Sequence, residues 1–235
     1  MTIEIEEINC RLTVEERSLI FSAAKYEADF YREIFRQDIP VMQIKIFGDS
    51  SEYRRFQNSI STSTAVKGFY SQSKKMALIN KNDRFLRTAF HELNHLILRH
   101  FIDDVPKWLN EGLSEYFEYA AMEGKNVSIM LQPKKAERLK KWAAEQDKIQ
   151  LADFVSWSNQ EWKTANFKPD FYSSTLSWGL IYFFMSDEAR REILKQIIAA
   201  IEKGENPLAA IDEFYPGKIG QLQNDFITFI QNEFR

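Results

Sequence analysis

Leu19, Ala23, Tyr26, Phe30 and Ile34 recur at three- and four-residue intervals through an otherwise polar stretch. That is the spacing of one buried face on an α-helix. Thr13 and Glu16 precede it at the separation that lets each side chain satisfy the other's backbone N–H, so a helix is predicted from Thr13 to about Arg36. Past Pro40, Met42, Ile44 and Ile46 alternate with Gln43 and Lys45, the period of a strand with one buried face. Gly48-Asp49 turns the chain, and a short helix follows over 49–58. Residues 63–70 and 75–80 read as two strands, with 71–74 as the turn of an antiparallel pair. The first ten residues carry no signal that we assign to an element.

From Asn82 onward the patterns are almost all helical. Asn82 or Asp83 is placed to cap a helix reaching about Phe101. Asp104 is placed to cap the next, with Pro106 in its first turn and Gly124 just past its end. Further helices are predicted at 133–146, 171–186, 187–203 and 217–234. The expected fold is α+β: a small N-terminal mixed-sheet lobe over 1–82 packed on a mainly helical lobe over 83–235, with a cleft between them. No linker, internal repeat or low-complexity segment divides the chain, so 1–235 is read as a single domain.

Charge and cysteine content narrow the function. The formal net charge is −3, which supplies no basic face for nucleic acid. The local run Lys134, Lys135, Arg138, Lys140, Lys141 is interrupted by Glu137 and reads as a solvated helix face. Cys10 is the only cysteine, which excludes an internal disulfide and a cysteine-based zinc site. The longest apolar run, Trp178 to Met185, is much too short to span a bilayer. MTIEIEEINC is acidic and lacks the basic-then-apolar pattern of a signal peptide. The expected location is the cytoplasm, or the outside of the cell if a leader was removed ahead of this numbering.

The candidate chemistry lies in His91-Glu92-Leu93-Asn94-His95. On a helix, residues four apart share a face, with Cβ atoms roughly 5–6 Å apart, so two imidazoles can converge on one ion. Glu92 is angled off that axis and can reach a water beside the ion, the position of a base that does not itself bind metal. The chain has three histidines and two lie in this motif, on a helix with an apolar side formed by Phe85, Leu86, Ala89, Phe90, Leu93, Leu96 and Ile97. His100 falls off the ligand face and reads as a helix-end residue. Glu111, in Trp108-Leu109-Asn110-Glu111-Gly112-Leu113-Ser114-Glu115-Tyr116, follows after a connection that can return the next helix antiparallel. Two histidines and a carboxylate form a known catalytic zinc set. Glu115, one turn on, can accept a ligand ring N–H and fix its tautomer.

HELNH followed by WLNEGLSEYFE resembles the gluzincins, the thermolysin-like clan of zinc peptidases, and is most similar to small bacterial families labelled peptidase MA-like. IKIFGDSSEYRRF, KGFYSQSKKMALIN and FYSSTLSWGLIYFF are similar to that family's pattern in the same order. The resemblance implies a zincin-like fold and one Zn2+ per chain on His91, His95 and Glu111. It implies Glu92 as general base, and Glu115 with Asn110 as residues supporting the ligands. It implies a tyrosine or histidine at the oxyanion, for which Tyr172 is the candidate. It also implies an edge strand that pairs with a peptide or protein substrate, placed at Gly68, Phe69 and Tyr70. The GxMEN motif of the aminopeptidase branch is absent, so trimming from the N-terminus is not implied.

The expected activity is zinc-dependent hydrolysis of a peptide bond. The alternatives are a peptidase-like binding or regulatory module without turnover, and a zinc hydrolase of a non-peptide amide or ester.

Overall fold

The computed structural model describes residues 2–39, 41–123, 126–145, 148–167 and 170–234. In chain order the elements are β1 (Ile3–Ile8), α1 (Val14–Phe35), β2 (Met42–Phe47), α2 (Ser50–Ile60), β3 (Gly68–Ser71), β4 (Met76–Asn80), α3 (Phe85–Phe101), α4 (Lys107–Phe117), β5 (Ala120–Glu123), β6 (Asn126–Ile129), α5 (Pro133–Ala143), α6 (Leu151–Val155), α7 (Asn159–Asn166), α8 (Tyr172–Phe184), α9 (Glu188–Glu202), α10 (Pro207–Phe214) and α11 (Lys218–Glu233). The fold is α+β, with a four-stranded sheet at the N-terminus and a mainly helical C-terminal part. Contacts group into two units: Met1–Asp103 with Phe117–Met130, and Asp104–Tyr116 with Leu131–Arg235. No helix among the described residues is long and apolar enough to cross a membrane.

In the first unit, the Thr13–Glu16 capping box opens α1 as its sequence predicts. The buried face of α1 is turned slightly from the predicted one. Ile20, Ala23, Ala24, Ala28, Phe30 and Tyr31 are buried, while Leu19, Tyr26 and Ile34 lie at the margin. The small alanines allow α1 and α3 to pack directly. The sheet order is β1-β2-β4-β3, with β1, β2 and β4 parallel and β3 antiparallel to β4 at one edge. β1 was not anticipated. Ile3 and Ile5 do alternate with Glu4 and Glu6, but three glutamates in six residues mask the pattern.

Two more segments differ from expectation. β3 begins at Gly68, not near residue 63. Ahead of it the Ala65 carbonyl accepts from Tyr53 and Gln57, and the Val66 carbonyl accepts from the Asn80 amide, so side chains hold this segment in place of a strand partner. The helix expected to run toward Gly124 ends at Phe117, and Ala120–Glu123 pairs antiparallel with Asn126–Ile129 instead. Cross-strand pairing there overrides the helix propensity of the alanines. Gly124 itself lies outside the described residues.

α3 lies against β3, β4 and α1. Its N-cap is Arg84, which makes no side-chain cap bond. The expected cap Asn82 instead accepts from the Arg84 N–H at 2.8 Å, forming a turn before the helix. On α2's side of the sheet Phe47, Tyr53, Phe69 and Leu78 form a second small core.

The second unit is helical throughout its described residues. α8 is buried on nearly every side, from Ser173 to Ile181 without interruption. A helix apolar all round must be covered all round, and α5, α7, α9 and α11 supply the cover. Ser173 and Ser174 turn their hydroxyls to the Trp162 and Phe171 carbonyls, which makes their burial tolerable. Gly112 brings α4 close to α8: a Cβ there would lie 2.7 Å from the Ser177 carbonyl oxygen and 2.7 Å from Ile181. The helices over 151–155, 159–166 and 207–214 were not anticipated, since each is too short to show a period.

Candidate functional site

The motif helix is held before it offers any chemistry. Leu93 and Asn94, its two middle residues, are fully buried. Asn94 accepts a 2.6 Å hydrogen bond from the Tyr31 hydroxyl, which ties α3 to α1. That bond leaves His91, Glu92 and His95 on the remaining side of the helix. The His91 and His95 rings are nearly perpendicular, with centroids 4.8 Å apart and Nε2 atoms 3.2 Å apart. Two nitrogens at the usual zinc distance from one tetrahedral ion stand about 3.3 Å apart, so the pair has the spacing of two ligands on one ion.

His91 Nδ1 lies 3.1 Å from Glu118 Oε2. A carboxylate only accepts, so Nδ1–H donates and the lone pair of a neutral His91 is on Nε2, the atom facing His95. Glu118 was not singled out from the sequence. The signal was available: it lies two helical turns beyond Glu111, in register with Glu115. His91 and His95 lie in the first unit, and Glu111 lies on α4 within the second. Two imidazole nitrogens and a carboxylate oxygen are donors of the kind that zinc takes.

Around Glu111, the close packing of Gly112 on α8 fixes the helix that carries it. Lys107 Nζ lies 3.5 Å from Glu111 Oε1, one turn away on α4. Glu115 forms an ion pair with Lys135, and its carbonyl accepts from Gln132. Asn110 is buried, and its carbonyl accepts from Ser114.

Glu92 is buried except where it opens on a cavity of about 310 Å3 in the first unit. His91, Glu118, Tyr119, Arg87 and Gly68 line that cavity with it. Of the three residues expected along a substrate strand, Gly68 lines the cavity, Phe69 packs into the core beside Phe47, and Tyr70 is half-buried. Gly68 has no room for a side chain, because a Cβ would lie 2.6 Å from Thr88 Cγ2. β3 approaches the motif helix only because this residue is glycine.

Glu27 on α1 was also missed. It is fully buried, and neither carboxyl oxygen has a hydrogen-bond partner among the described residues. Burial pushes its carboxyl well above the usual glutamate range, against a smaller downward pull from His91.

Tyr172 lies in the second unit, its ring 4.8 Å from that of Trp142 and 5.9 Å from that of Trp157. Its hydroxyl donates to the Lys148 carbonyl at 2.6 Å. Burial, with the Asp170 carboxylate adding to it, pushes the phenol up to about 12. A role at an oxyanion requires that bond to be exchanged. His100 is exposed at the end of α3, with its ring edge against Phe101.

No curated protein matches the chain. A family model matches residues 86–208, just over half of the chain, from the first turn of the motif helix through α9. The chain therefore belongs to DUF1570, a family of proteins of unknown function.

Proposed function

We propose that the protein is a zinc-dependent hydrolase of peptide bonds, with Glu92 as general base. The observation that carries the reading is the placement of the His91 and His95 Nε2 atoms 3.2 Å apart, with Glu92 on the cavity that His91 lines. His91, His95 and Glu111 would hold the zinc ion, which would supply a Lewis acid for the scissile carbonyl and lower the pKa of water at the site to about 7. Glu118 fixes the His91 tautomer by accepting from Nδ1, which keeps Nε2 available. Glu92 takes the proton of the attacking water and passes it to the leaving amine. A peptide is the favoured substrate because β3 is an edge strand of the sheet and reaches the same cavity through Gly68. An extended peptide can add to such an edge by backbone hydrogen bonds.

Zinc per chain, by elemental analysis of the purified wild type beside Glu111→Ala, tests the reading. The expected result is near one zinc in the wild type and sharply weaker retention in the variant. No zinc in the wild type, even after it is added back, overturns the reading and leaves a metal-free scaffold.

A further inference from the structure

The cavity that holds His91 and Glu92 is also lined by Lys67, Arg84 and Arg87. Among the described residues none of these three has a carboxylate within ion-pair distance. Elsewhere in the same unit cations find anions: Arg17 meets Glu7, Lys45 meets Glu6, and Lys81 lies 3.1 Å from Glu16. The chain as a whole is acidic, at −3, so three uncompensated cations on one small cavity are the reverse of its average surface. The two carboxylates that share the cavity have other tasks. Glu118 accepts from His91, and Glu92 is the base of the proposed reaction.

The arrangement is ordered along the helix. Arg87 and His91 stand four apart on α3, one turn from each other, and Arg84 is the N-cap residue of the same helix; all three line the cavity. Arg87 is fixed across the Tyr119 ring, its guanidinium carbon 4.3 Å from the centroid, which leaves its planar fork less freedom to lose on binding. No side chain caps the first turn of α3 at this end, so the helix dipole adds to the positive field. Lys67 stands directly before Gly68, at the start of edge strand β3. An extended chain seated along β3 would therefore pass the cations and the motif together.

We propose that Lys67, Arg84 and Arg87 form a carboxylate-recognition surface, and that the substrate taken beside His91 and Glu92 is an acidic peptide. The recognised carboxylate is an Asp or Glu side chain, or the free C-terminus of the peptide. This inference rests on the hydrolase reading for the identity of its ligand as a peptide, and not for the carboxylate chemistry. Arginine pairs with carboxylates through two parallel hydrogen bonds, which gives both affinity and selection.

The test is equilibrium binding by fluorescence anisotropy, using the intact chain carrying Glu92→Gln so that bound peptide is not consumed. Four dye-labelled peptides of one length are compared: glutamate-containing or the glutamine equivalent, each with a free or an amidated C-terminus. At least one carboxylate form is expected to bind about tenfold more tightly than the amidated glutamine peptide. Preference that follows glutamate regardless of amidation assigns a side chain. Preference that follows the free end assigns the C-terminus. Arg84→Gln with Arg87→Gln is expected to abolish the difference between the carboxylate peptides and the amidated glutamine peptide. The single Arg84→Gln change, on an exposed side chain, should reduce it without risk to folding.

Equal binding of all four peptides, no binding of any, or a preference that survives the double variant overturns the inference. The same four peptides given to zinc-loaded wild type separate the two readings. Cleavage without acid preference defeats only the carboxylate surface. Acid preference without cleavage defeats only the hydrolase.

Discussion

Two of the cavities among the described residues differ in character. The larger, about 520 Å3 in the second unit, is lined by Trp157, Tyr172, Lys148, Asp153 and Glu161 among others. Much of its polar equipment is engaged in holding its own walls. The Tyr172 hydroxyl is bonded to the Lys148 carbonyl, and Glu161 completes a capping box with Ser158 at the start of α7. The smaller cavity, about 310 Å3 in the first unit, is lined by His91, the buried Glu92, and Lys67, Arg84 and Arg87. Volume alone does not favour the second. Convergence of side chains that do little for the fold points to the second, and convergence is the better guide to chemistry.

The contrast breaks most plainly at its carboxylates. Glu92→Gln is expected to retain zinc and to lower peptide hydrolysis by about 10²–10⁴-fold, the usual contribution of a general base. Glu161→Gln, the counterpart in the larger cavity, should leave turnover unchanged. Equal losses in the two variants would remove the distinction.

A smaller effect is expected behind the first cavity. Glu27→Leu removes a buried carboxyl with no hydrogen-bond partner, and should raise the stability of the metal-free chain by about 1–3 kcal/mol in denaturant titration. The pH dependence has a definite sign. The folded carboxyl keeps its proton above 4.5, where the unfolded one loses it. The folded state then binds more protons, and stability falls as pH rises through 4.5 toward the raised folded value. Below 4.5 both states are protonated and the penalty is absent. Glu27→Leu should flatten this slope. An unchanged slope would mean that Glu27 is not its source.

The least effect belongs to the larger cavity. Tyr172→Phe deletes the bond to Lys148 and should cost about 1 kcal/mol of stability, with kcat retained. A drop of about a hundredfold in kcat at unchanged KM would instead place that hydroxyl at the oxyanion.

The strongest periodic signals were legible in the sequence: α1 with its capping box, β2, α3, α8, α9 and α11 all lie where their spacing put them. Short or contradictory signals were not. β1 hides among glutamates, and the β5–β6 hairpin is written in residues that favour a helix until a partner strand is present. Within the site, His91, Glu92, His95 and Glu111 follow from spacing and chemistry. Glu27, Tyr31 and the arginine face of α3 do not, because they depend on which helices meet and which cations lack partners. Glu118 was readable by extending the Glu111–Glu115 register another turn.

The two edges of the sheet are unequally guarded. β1 carries Glu4, Glu6 and Glu7 within six residues, with Glu6 paired to Lys45 and Glu7 to Arg17, so a strand approaching alongside meets an edge of charged side chains. β3, at the other edge, is Gly68-Phe69-Tyr70-Ser71 and carries no charge at all. A guest strand meets charged side chains along the first edge and an uncharged strand at the second, with Lys67 at its start. With four residues, β3 offers a visitor few hydrogen bonds, too few for a lasting embrace between copies. The sheet is thus built to discourage permanent neighbours while leaving a brief foothold for a passing chain.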